Sequence, residues 1–436
     1  MISPVKNFLS NNIRKNNNLT KCQVISPDNN SDFFYSYGGN TSVKSFKPAF
    51  KGIVLSEANL ERKRKFPADE EYRAELSKNI GCHPDNLICV VGPDELKDRL
   101  EKLHYADYSP HHKDDGIFKA NLHLHTTASD GKLTPDILFG SIASYYEGTG
   151  NSPFMVAISD HDNANGVKEA LKYISKHSEL SDKILFVPGI EINARYDNEK
   201  YFCSPVHFEV LAYSVNPYDK KFEAFLKKIH AGNEKIINAV IDEAKKQNNH
   251  ISIEEARQRH VSIRIAGGTT VNEALLKYLE HKGIEKSHAV NIIMQHNNGM
   301  LYPGITPATP EIREILPALG NAVSSIAHPT RIKFDNQIKP EEVESLRLSG
   351  GVAAELRHLD NKTALKAKAL LVLFKDFAEL GGKAAEAYYQ HDNKYIWSDK
   401  EKFNSYERFI FQACSALKLQ KTGGIDNHGD SIFSRL

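Results

Sequence analysis

The 436-residue chain is short of cysteine, of long apolar runs and of net charge, and each lack excludes something. Its five cysteines (Cys22, Cys82, Cys89, Cys203 and Cys414) are scattered, with no CxxC pair. That argues against a disulfide frame and predicts the reduced thiols of an intracellular protein. No apolar run approaches the roughly 20 residues needed to span a bilayer. The opening MISPVKNFLSNNIRKNNNL also lacks the apolar core of a secretory signal. A cytoplasmic protein with no membrane partner is expected. The formal net charge is +1, with 25% charged residues. Without a global basic excess the chain does not read as a dedicated nucleic-acid binder, and no stable duplex DNA binding is expected, although a local basic cleft stays open.

What the chain does have is a change of rhythm along its length. Residues 1–50 are rich in Asn, Ser, Lys and Gly, and burial there cannot offset chain entropy. A disordered or loosely attached lead is expected. Residues 51–110 read as a small N-terminal α/β module. It has a helix at 67–79, a short buried strand at 87–91 and a helix at 93–103 opened by Pro and acids. His111, His112, Asp114 and Asp115 then fall in a polar linker and read as solvated loop. From residue 117 onward strand, polar loop and helix alternate. Strands are expected at 154–159, 184–187, 206–215, 322–327, 384–389 and 421–425, besides one running into His123-Leu124-His125. About seven strands alternating mostly with helices favour a parallel α/β architecture. The length suits two or three domains, or one large barrel with insertions. Between 216 and 321 the rhythm gives way to helices, the longest at 222–247. Such an insertion, lying between two strands at the catalytic end, would cap the site. Its histidines (His230, His250, His260, His281, His288 and His296) lack ligand spacing and read as surface or core residues.

Polar residues collect where the strands run into loops. In Asn121–Gly131, NLHLHTTASDG, His123 and His125 lie two apart on one side of a strand, with Asp130 in the loop. The run FMVAIS ends in Asp160-His161-Asp162, and PGIE carries Glu191. Residues 322–327 lead into His328-Pro329-Thr330-Arg331, and the last strand into Asp426-Asn427-His428. Nitrogen and oxygen ligands without thiolate suit Mn, Fe or Zn. His123, His125, Asp130, His161, Glu191, His328, Asp426 and His428 exceed what one tetrahedral ion needs, so two or three divalent ions bridged by a carboxylate are expected. Strand ends on one face of an α/β barrel are where catalytic groups converge.

The ordered set LHLHTTASDGKLTP, ISDHDNANG, PGIEI, IAHPTR and GGIDNHG resembles the signature of the PHP (polymerase and histidinol phosphatase) superfamily, over about residues 118–429. Within it the arrangement is similar to stand-alone phosphoesterases acting on nucleotides, which carry a helical insertion before the His-Pro motif. The resemblance implies a distorted (βα)7, TIM-like barrel over 117–436, a helical cap at 216–321 and a trinuclear metal site. It also implies that His123 and His125, with Glu191 and Asp426, hold one ion. Glu191 would bridge to a second ion served by His328, and Asp130, His161 and His428 would hold a third. Asp160 and Asp162 would orient His161. The fourth strand departs from the family pattern: the expected His falls at Glu209, while His207 lies two residues earlier on the same face. Either could complete the second ion.

The implied reaction is metal-dependent hydrolysis of a small phosphorylated substrate, a nucleotide monophosphate or a short oligonucleotide end. A hydroxide bridging the ions would attack, the metals lowering the pKa of water from 15.7 toward roughly 7. Arg331 is placed to clamp a phosphate oxygen, Arg264 in the cap is a second candidate for substrate binding, and Asp162 is a candidate proton donor. The alternatives are a histidinol-phosphate-like small-molecule phosphatase and a non-catalytic metal-binding module with a scaffolding role.

Overall fold

The computed structural model describes residues 55–104, 119–146, 153–267, 271–297, 306–334, 337–346, 348, 350–389 and 400–429. The lead at 1–50 and the linker residues His111, His112, Asp114 and Asp115 lie outside them. Seven strands form one sheet in chain order: β1 (Ala120–Asn121), β2 (Phe154–Ile158), β3 (Ile184–Tyr196), β4 (Val206–Tyr213), β5 (Val323–Ile326), β6 (Ala384–Tyr389) and β7 (Gln420–Gly424). The Leu122 N–H donates to the Gly423 carbonyl at 3.1 Å and Leu124 bridges Asn427, which brings β7 back to β1 and nearly closes a barrel. Continuous apolar runs such as FMVAI are buried at every position, as strands covered on both faces must be. The result is the distorted TIM-like barrel that the motifs implied.

One strand breaks the parallel rule expected from the sequence. β4 runs antiparallel to both β3 and β5, whereas the other paired neighbours are parallel. The cause is the connection at 197–205, which is too short for a parallel crossover of a dozen or more residues. It closes a hairpin instead.

The barrel interior is filled by Met155, Ala157, Leu185, Val187, Leu211, Tyr213, Val323 and Ala384. Val91, Leu96 and Leu100 join the same cluster from the N-terminal segment. That segment comprises α1 (Glu57–Lys65), α2 (Pro67–Ile80) and α3 (Pro93–Leu100). The strand expected at 87–91 is instead a tight turn at Pro84–Leu87 and a single bridge from Val90 to Phe186. It fits beside the start of β3, where antiparallel β4 has already ended at Gly189–Tyr213. There the Val91 N–H donates to Phe186 O at 2.8 Å, and the Phe186 N–H to Cys89 O at 2.9 Å. Outside the barrel, α4 (Pro135–Tyr146) and α5 (Asn165–Ile174) cover Phe154, Val156, Ile158 and Phe186.

The direction of β4 also decides where the insertion is rooted. β4 ends at Tyr213, beside Val323 at the start of β5, so the insertion leaves and rejoins the barrel at the end opposite the strand-end loops. The expectation that it sits between strands at the catalytic end is corrected. It reaches that end because α6 (Lys220–Lys245) is 26 residues long, about 39 Å at 1.5 Å per residue. Asp219 caps α6 by accepting from the Lys221 and Phe222 N–H groups. Phe222, Leu226 and Ile229, spaced for one helix face, join the barrel's outer core. Ile236, Ile237, Val240, Ile241 and Ala244 belong to a separate core with α7 (Ile253–Arg259), α8 (Val261–Ile265), α9 (Val271–His281) and α10 (Lys286–His296). α11 (Ile312–Ala318) leads back to β5. After β5 come α12 (Pro340–Glu344), α13 (Gly350–Leu356), α14 (Asn361–Glu379) and α15 (Lys400–Leu417), the last two packing through Leu370, Phe374, Phe377, Phe409 and Ile410. Among the described residues no helix is long and apolar enough to cross a membrane.

Candidate metal centre

The strand ends are held to one another by polar side chains from the motifs. Regular pairing of β1 stops at Asn121, whose Oδ1 accepts from the His123 N–H at 3.3 Å and the Ile425 N–H at 3.2 Å. A Cβ at Gly424 would lie 2.5 Å from the His123 Cβ, so glycine is what lets β7 come this close. The buried Asp160 carboxylate accepts from the Thr126 N–H (2.7 Å), the Thr126 hydroxyl (2.8 Å) and the Ser129 hydroxyl (2.6 Å). It therefore anchors the loop that presents Asp130, rather than His161 as the sequence suggested. Asp162, His328 and Asp426 have φ of 45°, 23° and 51°. Three non-glycine residues in a disfavoured backbone region, all in the strand-end motifs, mark strain gathered at one place.

Nine of the expected side chains meet there. His125, Asp130, His161 and His428 form one group, and His123, His125 and Asp426 a second. His123, Glu191 and His328 form a third, and His161, Glu191 and Glu209 a fourth, with the potential ligand atoms of each group within 4.8 Å of one another. Glu191 is the hub. Its Oε2 lies 3.1 Å from His123 Nε2, 3.3 Å from His125 Nε2 and 3.2 Å from His161 Nδ1, and its Oε1 lies 3.1 Å from His328 Nε2. Asp426 Oδ1 is 3.4 and 3.3 Å from Nε2 of His123 and His125. His428 Nε2 is 3.3 Å from Asp130 Oδ1.

Both ring nitrogens of His125 and Oδ1 of Asp130 are buried without a hydrogen bond, although opposite charges stand close by. Buried polar atoms are normally satisfied. An all-nitrogen and oxygen donor set with such orphaned atoms suits divalent cations. The electrostatics agree. Burial alone would lower the His328 pKa, but hydrogen bonds and charge from Glu191 and Glu209 outweigh it and push the ring up to about 9. Burial likewise opposes the charged form of His123, yet Glu191, Glu386 and Asp426 raise it well above its usual range. Burial would raise Glu191, and His123 and His161 instead hold it well below the ordinary carboxylate range. The carboxylates thus attract positive charge to the cluster, a demand that metal cations can meet in place of protons.

His207 stands outside all four groups. Because β4 is antiparallel, residues earlier in it lie farther out: Glu209 pairs with Asn193 near the cluster, and His207 pairs with Arg195 beyond it. Burial, and then the nearby Arg195 charge, lowers the His207 pKa to about 4. The Asp162 carboxylate accepts from the Asn193 N–H (3.1 Å) and side-chain amide (2.7 Å), while the Asp162 carbonyl accepts from His230 Nε2 at 2.6 Å. His230, read from the sequence as an uninvolved residue, is therefore a tie between α6 and the second motif. Arg331 Nη1 donates to Asp426 Oδ2 (2.9 Å) and Tyr389 OH (3.1 Å), and Tyr389 OH donates to Asp426 Oδ2 (2.9 Å). Arg264 is exposed on α8 and takes no part in these contacts.

The sequence reading missed Glu386. This carboxylate on β6 is 1% exposed, sits 3.1 and 3.3 Å from His123 Nδ1, and accepts from the His328 N–H at 2.8 Å. The available signal was a single charged residue in the otherwise uncharged run AAEAYY, buried at every position. A buried carboxylate there needs partners.

A 90-residue stretch is 38% identical to the 5'-3' exoribonuclease Rnm of Escherichia coli K12, and equally to that of Salmonella typhimurium LT2, over 21% of this chain. The chain spans only 28% of the length of these curated relatives. No family profile matches the chain. Among solved structures it is similar to a Bifidobacterium adolescentis protein assigned as a metal-dependent phosphoesterase, with 20% identity and a TM-score of 0.41 over 71% of this chain and 87% of that one. It is also similar to a sulfate-bound, metal-free amidohydrolase from Chromobacterium violaceum, with 16% identity and a TM-score of 0.43 over 72% and 90%. The five motifs in their order resemble those of the PHP superfamily, and their side chains meet in one cluster.

Proposed function

We propose that the protein is a metal-dependent phosphoesterase acting on a nucleotide monophosphate or the end of a short oligonucleotide. The observation that carries the reading is the convergence of nine histidine and carboxylate side chains, with buried ligand atoms of His125 and Asp130 left without a hydrogen bond. In this reading His123, His125, Glu191 and Asp426 hold one divalent ion. Glu191, Glu209 and His328 hold a second, and Asp130, His161 and His428 a third; Mn, Fe and Zn suit these donors. When bound, such ions lower the pKa of water and neutralise phosphoryl charge.

The chain's own residues do the positioning. Glu386 accepts a hydrogen bond from His123 Nδ1, which would leave Nε2, close to Glu191 and Asp426, free to ligate an ion in place of its proton. Arg331, tethered by Asp426 and Tyr389, keeps further N–H donors at the rim for a phosphate oxygen. Asp162 is committed to Asn193, so it braces the second motif instead of donating a proton. Relatives named as exoribonucleases favour a nucleic-acid end over a sugar phosphate.

The test is hydrolysis of a chromogenic phosphate ester and of a 5'-phosphorylated oligonucleotide with added Mn, beside elemental analysis. Wild type is expected to turn over at least one of them. His125→Ala and His328→Ala are expected to lose at least about 100-fold of that activity and part of the bound metal. Absence of metal-dependent turnover by wild type on mono- and diesters alike would favour a non-catalytic metal-binding module.

A further inference from the structure

We infer that Arg195 and His207 form a second phosphate subsite at the barrel mouth, which takes the next phosphodiester of a single-stranded nucleic acid. The choice of nucleic acid rests on the function proposed above; the subsite itself rests on register. In the β3–β4 hairpin Glu191 faces Leu211, Asn193 faces Glu209 and Arg195 faces His207. The alternate residues Ile190, Ile192, Ala194, Tyr196, Val206, Phe208 and Val210 belong to the outer core. Strand side chains alternate between faces, so Glu191, Glu209, Arg195 and His207 share the interior side. Directly opposed side chains are neighbours. Arg195 and His207 thus stand together one alternate position beyond Asn193 and Glu209, about 7 Å farther out along the strands.

Neither side chain is absorbed into the packing. Arg195 Nε and His207 Nδ1 are shielded yet have no hydrogen-bond partner. Asp197 Oδ2 lies 3.5 Å from Arg195 Nε, the bridging residue Glu311 turns its carboxylate to Arg313 at 2.8 Å, and 40% of the Arg195 side chain remains exposed. A guanidinium fork beside an imidazole is a donor set for a phosphate group. In the function proposed above the metal ligands and Arg331 would engage one phosphate, which would leave this pair idle with a mononucleotide. A chain carrying a further phosphate reaches it.

The probe is a fluorescein-labelled single-stranded RNA hexamer with phosphorothioate linkages, titrated by anisotropy against the protein as purified, with AMP as competitor. Arg195→Ala and His207→Ala are expected to lower the ratio of hexamer to AMP affinity, by about tenfold for Arg195→Ala. Arg195→Ala should also flatten the slope of log affinity against log salt by about 0.7, the value for one lost phosphate contact on a single strand. Arg195→Lys should recover part of both. An unchanged ratio and slope, or equal losses for hexamer and AMP, would overturn the subsite. Cleavage of unmodified hexamer is measured alongside. If wild type does not cleave but the Arg195-dependent slope is present, the hydrolase reading falls and the subsite stands. If it cleaves without any Arg195 dependence, the subsite alone falls.

Discussion

Glu386→Gln tests how the centre is positioned, because it changes almost nothing but the proton pattern. The carboxylate now does two things at once: it faces His123 Nδ1 at 3.1 Å and accepts the His328 N–H at 2.8 Å. A glutamine fits the same space and can still accept from His328 through its carbonyl. Its NH2 then faces His123 Nδ1 and needs an acceptor there, which moves the ring proton to Nε2. That nitrogen lies 3.1 Å from Glu191 Oε2, on the side where a metal would bind, and a protonated nitrogen cannot ligate. With the amide turned the other way, the buried His328 N–H loses its acceptor, at a cost of about 1–3 kcal/mol. His328 already sits at φ 23°, so this hydrogen bond is part of what holds it. Changes in partners of metal-binding histidines typically weaken affinity 10- to 100-fold, equivalent to about 1.4–2.7 kcal/mol. The assay is calorimetric titration of metal-stripped protein with Mn, beside the melting temperature of the stripped form. Unchanged Mn affinity and stoichiometry in a folded variant would refute the positioning role.

Two further substitutions probe the scaffold. Burial alone pushes Glu407, on α15, up to about 7. A carboxyl raised in the fold binds more protons folded than unfolded between its ordinary value of 4.5 and 7. Its stabilising contribution is therefore complete below 4.5 and is lost as pH rises through 7. At ~1.4 kcal/mol per decade the cost at pH 8 is on the order of 3 kcal/mol at most. Glu407→Gln should accordingly raise the melting temperature at pH 8 and leave it nearly unchanged at pH 4.5; equal effects at both would sink the assignment. Gly424→Ala puts a Cβ 2.5 Å from the His123 Cβ and should cost about 1–3 kcal/mol of stability and reduce metal bound per chain. Gly140→Ala, on α4 with open space around it, should instead stabilise by up to about 1 kcal/mol and keep the metal content. Similar outcomes for the two would show that close packing at the β1–β7 seam does not govern the site.

The sequence alone determined the local chemistry. Buried apolar runs ending in histidines and acids announced strands that open into ligand-bearing loops, because burial and loop polarity are written in adjacent residues. That is why His123, His161, Glu191, His328 and Asp426 were identifiable before any coordinates. Tertiary structure decided what depends on strand direction and register. The hairpin at 197–205 reverses β4, and that reversal brings Glu209 to the cluster, leaves His207 at the mouth and roots the insertion at the far end of the barrel. It takes the pairing of β6 with β5 and β7, and the return of β7 to β1, to bring the Glu386 carboxylate within 3.1 Å of His123 Nδ1, more than 260 positions away. A contact between residues so far apart follows from how the whole chain closes, and no local pattern records it.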